Sequence, residues 1–560
     1  MSAEIIVESD VAVPMRDGTV LRADVYRPAS GPAPTLIERT PYSKDQLVGT
    51  IFVMNPMRAA KAGYSVVVQD VRGRFKSDGE FYPFVNEADD GYDTIEWAAE
   101  QPWSTGRVGM FGSSYMAAAQ WQAAKARPPH LTTITPFQAS ADYRDGRSYR
   151  GGAFEVGSLL SIALYALGSG NLARLPATQR RAVWDQLRSA LDDITNSSRR
   201  VMEDRFEGTL IPESIPYFFD WMDNDGPGAY WDRIDVTQHY ETIDLPVLHV
   251  SCWFDQFLVG TLRNYLGMRE RGATEHARAN QHLFIGPWGH YAPRTALLGT
   301  ARIGDLDLGV SAATDLDALL ISWFDRWLKD DAPGGRPIAP VRYFVTGSNT
   351  WHNDDEWPPP TSITRHLFLR AGGRLDAAAP GDGEGSDTFV HNPADPVPTV
   401  GGAHLVLESS FPQGAVDQRG VEARDDVLVY TSDELDAPLE VIGPVHARLA
   451  VASSATCTDF DVTVSDVHPD GRSLKICDGI LRTNVSGERS WIDVDLGAVG
   501  HRFLANHRVR VRIASSNFPR YDLNPGTGRR WGEGDAVTAT QTVLHDAAHA
   551  SCVRLPVVPV

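Results

Sequence analysis

A chain of 560 residues with 42% hydrophobic residues is long enough for about three cores and ordinary for a globular protein. Its net charge of -20 argues against nucleic acid and anionic membrane as partners, since both need clustered Lys and Arg. The four cysteines (Cys252, Cys457, Cys477, Cys552) form no CxxC pair and no metal-ligand spacing, so free thiols, a cytoplasmic setting and no metal or other cofactor are expected.

The first residues, Met1-Ser2-Ala3-Glu4, carry neither the basic nor the apolar stretch of a signal peptide. The longest apolar run, near residues 159–167, is too short and too interrupted to span a bilayer.

Residues 11–25 alternate apolar and polar side chains around the turn signal Asp17-Gly18 and predict a β-hairpin. Buried strands are expected at 35–39, 64–70 and 107–111, with helices at 52–62, 86–100 and 115–125, the last ended before Pro128-Pro129. Such alternation implies an α/β fold, a mostly parallel sheet covered on both faces. From 158 to 231 apolar residues recur at helical spacing, as in Val183, Leu187, Leu191 and Ile194, which reads as a helical insertion. Alternation resumes with a strand at 245–250, a helix at 258–272, a strand at 282–285, a helix at 313–329 and a strand at 341–345.

Beyond Trp351 the texture changes to short alternating strands at 427–430, 446–451, 459–464, 492–496 and 508–513, separated by Gly, Pro and Asp clusters. That spacing suggests an all-β sandwich. The expected division is therefore 1–142 and 244–350 for the two parts of the α/β core, 143–243 for the cap and 351–560 for the sandwich. No long Gly/Ser linker marks the join, so core and sandwich are expected to pack through a sizeable apolar interface.

The chemistry centres on Gly112-Ser113-Ser114-Tyr115, between a predicted strand and a predicted helix. A serine on a sharp strand-to-helix turn has its hydroxyl pushed out of the sheet, and the following N–H groups face a developing oxyanion. The turn needs a small residue two places before the nucleophile; Gly112 fills it for Ser114, whereas Phe111 would fill it for Ser113. Met116 stands where the usual pattern closes with glycine. A serine hydroxyl needs a histidine base and a carboxylate to orient it, in the order Ser, acid, His for an α/β-hydrolase. Asp255 follows the strand at 245–250, and His290 follows the strand at 282–285.

These segments resemble the cocaine esterase branch of the X-prolyl dipeptidyl peptidase family of α/β-hydrolases. The motifs are Arg39-Thr40-Pro41-Tyr42, Gln69-Asp70-Val71-Arg72-Gly73, Ser77-Asp78-Gly79-Glu80, Gly112-Ser113-Ser114-Tyr115, Trp253-Phe254-Asp255 and Gly286-Pro287-Trp288-Gly289-His290. Cys477-Asp478-Gly479 and Ser515-Ser516-Asn517-Phe518-Pro519 extend the likeness towards the C-terminus.

The resemblance implies an α/β-hydrolase core, an inserted helical cap and a C-terminal jelly roll. It also implies that Tyr42, through its hydroxyl, and Tyr115, through its backbone N–H, form the oxyanion hole. Phe257 and Trp288, with the cap aromatics Tyr165, Phe218, Phe219 and Trp221, are candidates to line a substrate pocket. Asp70, Arg72 and Asp78 read as structural, a charged loop held by ion pairs and backbone hydrogen bonds.

The expected function is hydrolysis of small-molecule carboxylic esters through an acyl-enzyme. The rivals are an X-prolyl dipeptidyl peptidase and an α-amino-acid ester hydrolase or acylase. Both must hold a substrate ammonium, for which the cap offers Glu155, Glu203, Asp204, Asp220, Asp223 and Asp225. More distant is a carbohydrate-binding or scaffold protein with a degenerate core. The sequence leaves the oligomeric state open, a homodimer included.

Overall fold

The computed structural model describes residues 4–46, 53–290, 302–330, 338–485, 487 and 489–559. The first sheet has ten strands: β1 Ile5–Pro14, β2 Val20–Pro28, β3 Ala33–Thr40, β4 Ser65–Asp70, β5 Ser104–Ser113, β6 Leu131–Phe137, β7 Val247–Phe254, β8 Gln281–Gly289, β9 Val341–Val345 and β10 Thr350–Asp354. They lie in the order β1-β2-β4-β3-β5-β6-β7-β8-β9-β10. Neighbours from β4 to β9 are parallel, whereas β1, β2 and β10 join antiparallel at the two edges.

A parallel sheet must bury both faces, and successive residues divide between them. Leu36, Val66, Val68 and Phe111 pack with helices Leu258–Arg271 and Leu316–Leu328. Ile37, Val67 and Met110 face the helix Tyr115–Ala126 and the apolar side of the insertion.

β6 was not expected from the sequence. Its three threonines disguise it: Thr133 Oγ1 donates to the Pro246 carbonyl at 2.8 Å and Thr135 Oγ1 to that of Met110 at 3.3 Å. Between β6 and β7 lie the helices Val156–Ser161, Ala177–Asp192, Ile194–Glu203 and Pro216–Asp223, with a wide π-helical turn at Ile162–Gly168. The expected helix at 52–62 begins outside the described residues, and its described part is helical over Pro56–Lys61. β10 runs to Asp354, past the expected join at 350.

The remainder forms eleven connected strands, among them Leu439–Ser453, Cys457–Val467, Ser473–Asn484 and Ser490–Phe503. These are longer than the short runs expected, and their inward residues, such as Leu449, Phe460, Val494 and Val511, fill one apolar interior. The sandwich meets the rest of the chain in two ways. One apolar cluster runs across the join and unites Trp253, Phe344 and Trp357 with Ile442, Leu474 and Ala498. The other junction is ionic and buried, so the expected apolar interface is only half of the account. Arg520 reaches Glu155 at 3.3 Å and Asp478 at 2.9 Å, and Lys475 holds the other Asp478 oxygen at 2.9 Å.

Candidate active site

The turn between β5 and the helix Tyr115–Ala126 holds Ser114 at φ 59° and ψ -118°, a strained conformation for a residue with a side chain. Gly112, at φ 129°, lets the chain make this turn; a Cβ there would lie 2.5 Å from Met116 Cβ. The Ser114 N–H donates to the Phe137 carbonyl at 2.9 Å, which ties the elbow to β6. Tyr115 opens the helix, where first-turn N–H groups have no intrahelical acceptor and can face an anion.

β7 and β8 run on to Phe254 and Gly289, which pair in register. The next residues, Asp255 and His290, therefore emerge side by side. His290 Nδ1 lies 2.9 Å from Asp255 Oδ2, and both side chains are buried. Asp255 Oδ1 accepts the Phe257 N–H at 2.6 Å, so neither carboxylate oxygen can swing away. With Nδ1 held by the carboxylate, Nε2 is the ring atom left for proton exchange.

Tyr42 follows β3, and its side chain lies beside Ser114, lining the same two pockets. Loss of solvent pushes the phenol up to about 12, so it stays protonated and able to donate at neutral pH. Arg74 secures this loop by donating to the Pro41 carbonyl at 2.9 Å and to the cap's Leu167 carbonyl at 2.6 Å. The Tyr115 ring turns the other way. Its hydroxyl donates to Glu87 at 2.9 Å and accepts the Phe84 N–H at 3.0 Å, so the backbone N–H is what Tyr115 presents at the elbow.

Ser114, Tyr42 and His290 line a cavity of about 690 Å³. The cap contributes Ile162, Tyr165, Trp184 and Leu191, and Leu407 comes from the C-terminal region. No carboxylate lines it among the described residues. Phe257 packs edge-on against the His290 ring at 5.4 Å and lines a second, smaller pocket beside Ser114. Trp288 is not brought to either pocket; it is buried against the rings of Phe284 and Trp351, so its expected place in the substrate pocket is corrected to core packing. Of the cap aromatics, Tyr165 lines the cavity while Phe218 and Trp221 are core.

Asp70 accepts the Lys44 N–H at 2.7 Å, and Arg72 pairs with Asp90 at 2.6 Å and Asp17 at 2.7 Å. None of the three charged residues Asp70, Arg72 and Asp78 lines the cavity. Sequence reasoning missed Leu407, which lines the cavity, and Arg147, which lines the smaller pocket. Neither carries a local signal, since each reaches the site by tertiary folding alone.

The family model of the X-Pro dipeptidyl-peptidase (S15 family) matches residues 17–292, and that of the X-Pro dipeptidyl-peptidase C-terminal non-catalytic domain matches 337–554. A cocaine esterase of Rhodococcus sp. is 35% identical over 585 residues, covering 99% of this chain and 98% of that protein. The chain belongs to the X-Pro dipeptidyl-peptidase (S15) family.

Among solved structures, an aminopeptidase from the marine-sediment archaeon Thaumarchaeota archaeon has a TM-score of 0.81 at 24% identity, covering 100% of this chain and 97% of that one. An α-amino acid ester hydrolase has a TM-score of 0.80 at 24% identity, covering 99% and 97%. Both share the fold. In this S15 chain Leu407 lies within the match to the non-catalytic domain and still lines the cavity.

Proposed function

We propose that the protein hydrolyses carboxylic esters whose larger group is apolar and uncharged, with Ser114 as nucleophile, His290 as base and Asp255 as the group that orients it. The observation that carries this reading is the joining of Ser114, Tyr42 and His290 in one cavity free of described carboxylates. Ser114 Oγ attacks the ester carbonyl while His290 takes its proton. The negative oxygen that forms is held by the Tyr42 hydroxyl and the Tyr115 N–H. His290 then protonates the leaving alcohol, and water repeats the sequence on the acyl-enzyme to release the acid.

A dipeptidyl peptidase or an α-amino-acid ester hydrolase needs a carboxylate for the substrate ammonium. The six cap carboxylates named as candidates are engaged elsewhere: Glu155 with Arg520, Asp204 with Arg200, Asp220 with Tyr82, Asp223 and Asp225 with Arg530, and Glu203 with Trp531. A scaffold with a degenerate core has no use for a strained serine beside an aligned Asp-His pair.

The reading extends to residues 143–243 as the cap that shapes the cavity and to a cytoplasmic setting, supported by four unpaired cysteines. No helix among the described residues is long and apolar enough to cross a membrane. The test is paired hydrolysis of esters with and without a free α-amino group, alongside fluorophosphonate labelling of Ser114. Faster turnover of the amino ester would overturn the exclusion of a substrate ammonium, and absence of label would overturn the mechanism.

A further inference from the structure

Arg147 is 3% exposed although it belongs to the charged segment Asp142-Tyr143-Arg144-Asp145-Gly146-Arg147, in the stretch that leads from β6 to the first cap helix. Its guanidinium lies over two rings, 4.2 Å from the Trp221 centroid and 5.0 Å from that of Phe84. The side-chain hydrogen bond it makes goes to Ser148 Oγ at 2.9 Å, a neutral group. No carboxylate pairs with it among the described residues. The undescribed segments nearest in sequence to the site, 47–52 and 291–301, contain no Asp or Glu. Burial draws its pKa down to about 10, and the groups whose charges act most on it are tyrosines.

A buried cation without a counter-ion is costly, and the chain compensates its other buried arginines. Arg39 pairs with Glu87, Arg512 with Asp461, and Arg520 with Glu155 and Asp478, while Arg74, which has no carboxylate, donates to the Pro41, Ala166 and Leu167 carbonyls and to the Asn171 amide oxygen. Arg147 has neither kind of compensation, and it stands at a telling place. It lines a pocket of about 30 Å³ beside Ser114, together with Tyr42, Ser140, Tyr143 and Phe257. That volume holds a group of two or three heavy atoms rather than a ring. Its polar equipment is a fixed fork of N–H donors, the rotatable hydroxyls of Ser140 and Tyr143, the Tyr42 and Ser114 hydroxyls on the catalytic side, and the Gln138 amide. A planar, acceptor-only anion matches this set.

We infer that the small pocket binds a carboxylate carried by the substrate, so that the preferred ester has a bulky apolar group for the large cavity and a short acidic arm for Arg147. The inference rests on the ester-hydrolase reading and names its substrate class. The free protein leaves the cation without its anion, and the substrate supplies it. The stability cost of holding Arg147 is the trade expected at a binding site.

The test uses two matched pairs of esters: monobenzyl glutarate against benzyl pentanoate, with the acid on the acyl side, and carboxymethyl benzoate against propyl benzoate, with the acid on the alcohol side. In the wild-type protein the acidic member of at least one pair is expected to have the higher kcat/KM, by about 10- to 100-fold, the range of a charge-assisted hydrogen bond to a buried group. In Arg147→Met that ratio should fall to near one or below, and Arg147→Lys should restore part of it. Because each ratio compares two substrates on one protein, partial misfolding does not distort it.

Melting temperature supplies a second readout. Arg147→Met should be as stable as the wild type or more so, since it removes an unpaired buried charge. An acidic ester favoured in neither pair, or a preference that survives in Arg147→Met, would overturn the inference while leaving ester hydrolysis intact. A lower melting temperature with an unchanged ratio would assign Arg147 to structure and overturn it as well. Failure of all four esters in the wild-type protein would remove the ester-hydrolase reading itself, and this inference with it.

Discussion

Ser114, Tyr42 and His290 reach the cavity from strand ends, whereas Trp184, Leu191 and Leu407 reach it from helices and from a distant segment, and the two groups are held by different physics. The strand-end residues are fixed by backbone register. Gly289 pairs with Phe254, Ser113 with Phe137, and the next residue in each chain is committed in direction. The cap residues are placed through a clamp. The Ser158 and Ser161 hydroxyls accept the Leu405 and Leu407 N–H groups at 3.1 and 3.2 Å, the Gly157 N–H reaches the Pro519 carbonyl at 2.9 Å, and Glu155 meets Arg520. Register gives sub-ångström alignment, which bond-making requires. A clamp between separate segments leaves the cavity's shape open to change without touching the chemistry.

The largest effect should come from the strand-end side. Ser114→Ala is expected to lower kcat by at least about 10⁴-fold with folding intact, because the residues of such a unit fail together. Ser113→Ala should retain most activity, since Ser113 Cα sits in sheet register opposite Phe137 and the elbow turns after it. Ester hydrolysis followed by circular dichroism checks both; a dead Ser113→Ala beside an active Ser114→Ala would reverse the reading of the turn.

The clamp is tested next. Arg520→Met leaves Glu155 and Asp478 buried without their shared cation, a loss on the order of 3–5 kcal/mol. Melting temperature should fall, and activity should become sensitive to temperature before the fold is lost, because the helix Val156–Ser161 leads directly into the cavity wall at Ile162. A melting temperature equal to the wild type would show that the apolar junction around Trp253 does all the joining.

Tyr42→Phe sharpens the comparison from the chemical side. Removing one oxyanion donor should lower kcat by about 10²–10³-fold with a smaller change in KM, as the donor acts mainly on the transition state. Steady-state kinetics with chemistry rate-limiting decides it. An unchanged kcat would return Tyr42 to loop packing.

The same division explains what the sequence could show. Short-range signals single out the elbow, Asp255 and His290 as candidates, because each follows closely on an apolar strand. Trp288 shares a motif with His290, but β8 continues through it and turns its ring into the core. β6 stayed hidden because Thr132, Thr133, Thr135 and Pro136 read as a loop until their hydrogen bonds across the sheet are seen. In the sandwich, the strand Ser473–Asn484 stayed hidden because Lys475, Asp478 and Arg482 sit within it at buried or half-buried positions and break the alternation that would have marked it. Leu407 and Arg147 had no pattern at all. Each is a single residue in a loop whose meaning depends on a partner far along the chain.

The smallest predicted effect falls on the cap. Trp184 is half-buried on the helix Ala177–Asp192 and presents part of its ring to the cavity. Under the proposed function it meets the substrate's apolar group and not the reacting atoms, and so binds ground state and transition state alike. Uniform binding of that kind shows in KM and leaves kcat alone. Trp184→Ala should therefore raise KM by about tenfold for a benzoyl or longer alkyl ester, because less of its apolar surface is taken out of water, with kcat nearly unchanged. An acetyl ester of a small alcohol, too short to reach that wall, should show little change in either constant. Measuring both constants for both esters gives a two-by-two comparison. A fall in kcat for the acetyl ester would mean that Trp184 also helps place Ser114 or His290, and the separation between a chemical wall and a shaping wall would be lost.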